Sequence, residues 1–100
     1  MKYYSRIIIN EYSKNAETTA KEFVLGVLNA LSASEIKFTE FEPYYKFEGT
    51  GELNLYFTCD KAKEEIQSCF AETWKHGCAD ERWSRIYCDK IMFIWLPEAE

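Results

Sequence analysis

Apolar and polar positions along the chain predict the order strand, helix, strand, strand, helix, strand. Residues 3–12 form the first strand, in which alternate positions take opposite faces of a sheet. One face has Tyr3, Ser5, Ile7 and Ile9, and the other has Tyr4, Arg6 and Ile8. Because both faces are largely apolar, this strand is expected in the middle of a sheet.

A long amphipathic helix is expected after Ser13, whose hydroxyl is a good N-terminal cap. Glu17 places a negative charge near the positive end of the helix dipole. Apolar residues then recur at three- and four-residue steps and form one stripe: Ala16, Ala20, Phe23, Val24, Val27, Leu28 and Leu31. This stripe predicts a helix of about four turns that packs against the sheet.

The middle of the chain predicts an edge strand followed by a hairpin. Residues 36–41 form the edge strand, because Pro43 just after it cannot donate a backbone hydrogen bond. Residues 45–48 and 52–59 form the arms of the hairpin, and the Gly-Thr-Gly sequence at 49–51 permits its tight turn. The second arm has an apolar face of Leu53, Leu55, Phe57 and Cys59, and a polar face of Asn54, Tyr56 and Thr58.

The second helix is expected to begin with Asp60 as its N-cap and to end at Gly77. Its apolar positions are Ala62, Ile66, Cys69, Phe70, Thr73 and Trp74. A last strand starts near Arg85, with a bulge or turn at 88–90, and stops before Pro97. This order is the ferredoxin-like βαββαβ arrangement of an α+β fold, with a four-stranded antiparallel sheet whose first and third strands are central. Both helices are expected on one sheet face, which leaves the other face bare.

The composition fits one compact domain spanning residues 1–100, because 47% of the residues are apolar and 29% are charged. The net charge of -5 argues against direct nucleic-acid binding, since phosphate contacts require cationic side chains. The first apolar run, residues 7–9, is too short for an export signal, and no run approaches the ~18 apolar residues of a membrane span. A cytoplasmic protein without membrane contact is therefore expected. Its four cysteines are then expected to be reduced thiols: Cys59, Cys69, Cys78 and Cys88.

Candidate catalytic and metal-ligating residues are few. Glu40 and Glu42 share one strand face, which suits an acid–base pair or a hard cation, but no third ligand lies near them in sequence. His76 lies two residues before Cys78, yet its place in the last turn of a helix fits a contact with the helix C terminus. Residues 49–51 lack the following helix and the lysine of a phosphate-binding loop. We therefore expect no enzymatic activity, no metal and no cofactor.

Acidic and aromatic side chains alternate in two stretches, and this alternation predicts a protein-binding surface. In Glu-x-Glu-Pro-Tyr-Tyr, residues 40–45, the rings cannot all be buried without burying carboxylates. Aromatic residues supply contact area at interfaces, and carboxylates pair with the lysines and arginines of a partner. Charged contacts are assigned to Glu40, Glu42, Glu48, Asp80, Glu81 and Asp89, and anchoring contacts to Tyr44, Tyr45, Trp83 and Tyr87. The same composition also fits a solvated domain whose aromatic residues fill the core.

The chain resembles bacterial toxin-immunity proteins of contact-dependent growth inhibition systems. The features that match are the short acidic domain, the acidic aromatic segment of residues 40–52 and the closing stretch of residues 83–97. The resemblance implies a cytoplasmic protein that binds one cognate toxin domain with a basic surface and blocks its active site or substrate groove. Many such toxins resemble nucleases, whose grooves are cationic. The alternative is a small regulatory or ligand-binding domain that forms a homodimer through the bare sheet face. A small enzyme that uses a cysteine or His76 is a second rival.

Overall fold

An antiparallel sheet and two helices make up the part of the chain that the structure, a computed structural model, describes: residues 1–73, 79–80, 85–87, 91–95 and 97–99. The helices are α1 (Lys14–Ala30) and α2 (Lys63–Thr73). The strands are β1 (Lys2–Ile9), β2 (Ser34–Phe38), β3 (Glu42–Pro43), β4 (Gly51–Thr58), β5 (Ala79–Asp80), β6 (Arg85–Tyr87), β7 (Phe93–Trp95) and β8 (Glu98–Ala99). The predicted α+β class is confirmed.

The two longest strands lie side by side inside the sheet. The strand order is β2-β4-β1-β7-β6-β5, while β3 also pairs with β4 and β8 also pairs with β1. β1 and β4 run antiparallel in an unbroken register from Lys2 opposite Thr58 to Ile9 opposite Gly51. The interior place of β1 confirms the interpretation of its two apolar faces. The sheet is wider than the predicted four strands, because the short strands β6 and β5 extend it beyond β7.

Both helices bury their apolar residues against the same face of the sheet. The stripe of α1 and two residues of α2 join the odd-numbered positions of β1 and β4 in one core. The helices and the residue after α1 contribute these buried side chains: Ala20, Val24, Val27, Leu28, Leu31, Ile66 and Phe70. The strands β1 and β4 and the residue after β4 contribute these: Tyr3, Ile7, Ile9, Leu53, Leu55, Phe57 and Cys59. The predicted stripe of α1 and the apolar face of β4 are therefore confirmed. Within the part of the chain that the structure describes, no helix combines the length and the apolar character needed to cross a bilayer.

The first turn of α1 is stabilised by side chains. Ser13 is the N-cap, as predicted, and its Oγ accepts a hydrogen bond of 3.2 Å from the backbone N–H of Ala16. The Glu17 carboxylate accepts a 2.7 Å bond from Lys21 Nζ one turn later, and Lys14 Nζ lies 3.8 Å away. The bond from Lys21 lowers the pKa of Glu17 below its ordinary value of 4.5, and the positive charges of Lys21 and Lys14 add to this against the opposing effect of burial.

Replacing Glu17 with Gln is expected to destabilise the fold by about 0.5 kcal/mol near neutral pH, because the ion pair one helical turn apart is lost. The carboxyl is more acidic in the folded than in the unfolded chain, so its contribution is present above pH 4.5 and disappears as the pH falls through the folded value. Urea unfolding of both proteins at several pH values measures this. The two stabilities should converge in acid, and the exposed neighbour Glu22, replaced with Gln, is the control. A difference that does not shrink as the pH is lowered from 4.5 would contradict the assignment.

The predicted first arm of the hairpin is wrong. Residues 45–48 form turns, and the strands that pair with β4 on that side are β2 and the two-residue β3. Pro43 lies in β3 opposite Gly51, at the edge of the sheet as predicted. β2 is likewise an edge strand, but it covers 34–38 and not 36–41, and its register shifts between Ser34 and Lys37. Such an irregular edge discourages pairing with the strands of other chains.

Two other boundaries differ from prediction. α2 begins at Lys63, so Asp60 is not its N-cap. The closing run forms a hairpin of two strands and not one long strand, because β6 and β7 pair antiparallel, with Tyr87 opposite Phe93. The predicted helix end at Gly77, together with Trp74 and residues 88–90, lies outside the described residues.

The sheet face opposite the helices is covered at one end and open at the other. Ile8 is fully buried there in a second small cluster with Tyr44, against which Met92 packs. At the other end Tyr4 and Tyr56, which are opposite each other in the register, remain exposed. The prediction of a bare face is therefore wrong for the end that contains Ile8, because the chain after β3 folds back over it.

Candidate protein-binding surface

The acidic loop, defined here as residues 40–52, is closed by backbone hydrogen bonds. The N–H of Tyr44 donates to Thr50 O at 3.0 Å, and the N–H of Thr50 donates to Phe47 O at 3.2 Å. From outside the loop, the N–H of Tyr12 donates to Gly49 O at 2.8 Å. Gly49 has a φ of +82°, which glycine adopts without the strain a side chain would cause. The loop therefore has a defined backbone path held at both of its ends.

Tyr44 supports the loop from beneath. Its side chain is only 5% exposed and packs on Ile8, and the Arg6 guanidinium lies 5.5 Å from the centre of its ring. This burial corrects the predicted anchoring role of Tyr44, since its ring is turned toward the sheet and away from solvent. Tyr45, the next residue, is 79% exposed and is available for contact.

Two exposed aromatic rings flank the buried one. The ring of Tyr45 lies 5.5 Å from that of Tyr44 in an edge-to-face arrangement, and the ring of Phe47 lies 5.8 Å from Tyr44 on a tilted plane. Phe47 is 48% exposed. Because each exposed ring contacts the buried ring, the loop presents Tyr45 and Phe47 on either side of a packed support.

Arg6 and Glu52 form the ion pair that joins β1 to β4 under the loop. Arg6 Nε donates to Glu52 Oε2 at 3.0 Å, and the Nη2 of the same guanidinium contacts the same oxygen. Both side chains are partly shielded from solvent. The pair neutralises the charge of Glu52 and holds the Arg6 guanidinium over the ring of Tyr44. Arg6 therefore helps to position Tyr44, on which the loop packs.

The structure brings three of the predicted acidic residues to one region. Glu40 and Glu42 line the same cleft of about 240 Å³ beside Arg6 and Glu52, and both are exposed. Glu48 is exposed on the turn that closes the loop. The loop contains four glutamates and one lysine, so its formal charge is -3. Exposed carboxylates next to exposed aromatic rings can pair with cationic side chains of another protein.

Other predicted residues are not placed by the structure. Glu81, Trp83 and Asp89 lie outside the described residues, and Asp80 and Tyr87 are described only through the backbone of β5 and β6. His76, Cys78 and Cys88 also lie outside them. Cys59 is a buried thiol that donates to Leu31 O at 3.5 Å. Within the described ranges, no group of three or more His, Cys, Asp or Glu side chains is arranged to hold a metal ion.

Four residues of this surface were not among the predicted site residues. Phe47 is an exposed part of it, and Arg6, Glu52 and Tyr12 support it. The ring of Tyr12 lies 4.8 Å from that of Phe41 on a tilted plane, and its hydroxyl donates to Phe41 O at 3.4 Å. A signal for Arg6 was its place in an otherwise apolar strand face, where a cation requires a partner. No local signal identified Tyr12, because its partner lies 29 residues away.

The geometry places the acidic loop, with Tyr45, Phe47 and exposed carboxylates, on a support built from Tyr44, Arg6 and Tyr12. Comparison with known proteins found no matching family model, no matching curated protein and no matching solved structure. The functional assignment therefore rests on the chemistry of this surface.

Proposed function

We propose that this protein is an inhibitory binding protein of the toxin-immunity type, which neutralises a cognate toxin domain by binding it through the acidic loop. The observation that supports this most is the display of two exposed rings, Tyr45 and Phe47, beside the exposed carboxylates of Glu40, Glu42 and Glu48. Aromatic side chains dominate the affinity of protein interfaces, and carboxylates accelerate and orient the approach of a basic partner.

The closed backbone of the loop favours tight binding. A flexible loop would have to be ordered on association, at a cost in conformational entropy for each side chain that becomes fixed. Here the bond from Tyr44 N–H to Thr50 O and the burial of the Tyr44 ring fix the loop before any partner arrives. The proposed inhibitor therefore binds as a largely preformed surface.

The proposed partner is a toxin domain with a basic groove, of which a nuclease is the leading class. Nuclease grooves are cationic because they bind phosphates, and the exposed carboxylates of the acidic loop would occupy the positions of phosphates there. The proposed protein is a cytoplasmic inhibitor and not an enzyme, and it needs no cofactor or metal.

We also propose that the two helices and the four strands β2, β4, β1 and β7 form a ferredoxin-like unit. Their order in the sheet and the burial of both helices on one face favour this interpretation. The strands β6 and β5 would then extend the sheet beyond β7, and β8 would be a second short strand paired with β1.

Co-expression with the product of the adjacent upstream reading frame tests the proposal. We expect the two proteins to co-purify, and we expect growth to be rescued in cells that would otherwise be killed by that product. A chain in which Tyr45 and Phe47 are both replaced with Ser is the matched variant, because both side chains are exposed and their loss leaves the core intact. Full protection by that variant, or no complex with the wild-type chain, would contradict the proposal.

A further inference from the structure

A groove of about 610 Å³ lies along the contact between β2 and β4, on the side of the sheet away from the helices. The register between the two strands shifts there, because Tyr56 lies opposite Lys37 but Thr58 lies opposite Ser34. Residues that lie opposite each other share a face of the sheet, so Lys37 lies on the same face as Tyr56. Lys2 of β1, which lies opposite Thr58, lines the groove from the other side of β4.

The two lysines of this groove lack a counter-charge. Lys2 and Lys37 are exposed, and neither makes an ion pair within the part of the chain that the structure describes. They belong to the strands on either side of β4, and their flexible stems allow both ammonium groups to reach over that strand. Glu35 also lines the groove, so its formal charge is +1 in a chain whose net charge is -5. A ligand of this groove is therefore expected to carry a negative charge.

An aromatic ring and several hydrogen-bonding groups lie beside these lysines. Tyr56 is 36% exposed and lines the groove. The hydroxyl of Thr58 donates to Glu35 Oε2 at 2.9 Å, and Glu35 Oε1 accepts no hydrogen bond from the described residues. The hydroxyl of Thr39 accepts a bond of 2.8 Å from the N–H of Asn54 and keeps its own proton to donate. The groove therefore offers a stacking surface, a free acceptor and a hydroxyl donor as well as its cations.

Glu35 has a backbone conformation that is uncommon for a residue with a side chain. Its φ of +52° lies in the left-handed region, and the residue lies in the segment of β2 where the register shifts. Backbone strain of this kind is concentrated at ligand-binding sites. The groove is thus lined by a strained residue as well as by two unpaired cations.

We propose that this groove binds a nucleoside monophosphate. The phosphate pairs with the ammonium groups of Lys2 and Lys37, and the base stacks on the ring of Tyr56. A ribose hydroxyl or a base N–H donates to the free oxygen of Glu35. The volume of the groove lies within the range of roughly 300–1,000 Å³ that is typical of small-molecule sites.

A mononucleotide fits this groove better than a nucleic acid strand or an acidic peptide does. The groove extends to Thr39, whose neighbour Glu40 is exposed at the start of the acidic loop. A polyanion that continued along β2 would meet this carboxylate and the charge of -3 on that loop, and it would be repelled. A ligand whose negative charge is confined to one phosphate avoids this repulsion. Because the lysines and Tyr56 lie outside the acidic loop, the inference does not rest on the proposed function.

NMR titration of the isotope-labelled full chain with guanosine monophosphate tests the inference. Saturable shifts are expected at Lys37, Tyr56 and Thr58, with a dissociation constant below about 1 mM. Lys2→Gln with Lys37→Gln should weaken binding roughly 10-fold or more, because both phosphate contacts are lost. Tyr56→Ser should weaken it by a similar factor, roughly 10-fold, because the stacking surface is lost. Inorganic phosphate should bind at least about 10-fold more weakly than the nucleotide, since it cannot stack.

Lys14→Gln with Lys61→Gln is the matched control, because it removes the same charge from exposed positions outside the groove. It should leave the affinity for the nucleotide unchanged within about 2-fold, since distant exposed charges are screened by salt. No saturable shift up to about 10 mM nucleotide, or equal losses in the two lysine variants, would overturn the inference. Binding of inorganic phosphate as tight as that of the nucleotide, or tighter binding of a single-stranded oligonucleotide or an acidic peptide, would also overturn it.

Discussion

Replacing Glu40 and Glu42 together with Lys is expected to abolish neutralisation of the toxin and to leave the fold intact. Removing one carboxylate that pairs with a desolvated cation in an interface costs about 2–5 kcal/mol of binding free energy. Replacing it with a lysine adds repulsion between like charges. The loss for two such sites should exceed 1000-fold in affinity. Both side chains are exposed in the free protein, so their replacement removes no core contact.

Affinity for the purified toxin domain and growth rescue measure the loss of neutralisation. Urea unfolding measures whether the fold stays intact. The control is Glu22→Lys with Glu65→Lys, which changes the net charge by the same amount at exposed positions on α1 and α2. That control should protect cells at close to the wild-type level. If the variant at residues 40 and 42 still protects, these carboxylates do not take part in binding.

Replacing Gly51 with Ala is expected to destabilise the protein by about 1–3 kcal/mol, the usual cost of forcing extra volume into a packed region. A Cβ at this position would collide with the ring of Phe41 and would lie 2.9 Å from the ring of Tyr12. Moving Tyr12 would also disturb its backbone hydrogen bond to Gly49 O. The variant should therefore lose affinity for a partner of the acidic loop as well as stability.

Gly26 provides the matched control, because a Cβ there meets no atom within 4 Å. It lies inside α1, where alanine in place of glycine should stabilise the helix by roughly 0.5–1 kcal/mol. Urea unfolding of the two alanine variants should thus give shifts of opposite sign. Equal shifts, or a stable Gly51→Ala variant, would show that the rings over residue 51 move aside at little cost.

The elements predicted correctly are those whose signals are local. The cap at Ser13 and the stripe of α1 depend on residues within a few turns of one another. The alternation from Leu53 to Phe57 fixed which face of β4 is buried, because neighbouring residues of a strand point to opposite sides. The double-sided apolar pattern of β1 likewise predicted its place inside the sheet.

The errors concern pairings between distant segments. Residues 45–48 have the alternation of a strand, yet β4 pairs with β2 and β3 on that side, which leaves 45–48 as turns. The choice between Tyr44 and Tyr45 as the exposed residue had no local signal, because the two are identical in chemistry. It was decided by Ile8 and Arg6, which lie more than 35 positions earlier in the chain.

The sequence alone determined that this is a small acidic α+β protein with a central first strand, a long amphipathic helix and an unusual concentration of acid and aromatic residues near the middle. Only the tertiary structure decided which of those rings face solvent, that Arg6 pairs with Glu52, and that the carboxylates of Glu40 and Glu42 line one cleft. The physical reason is that burial and ion pairing depend on which segments meet across the sheet, and the register between distant strands is a property of the whole fold.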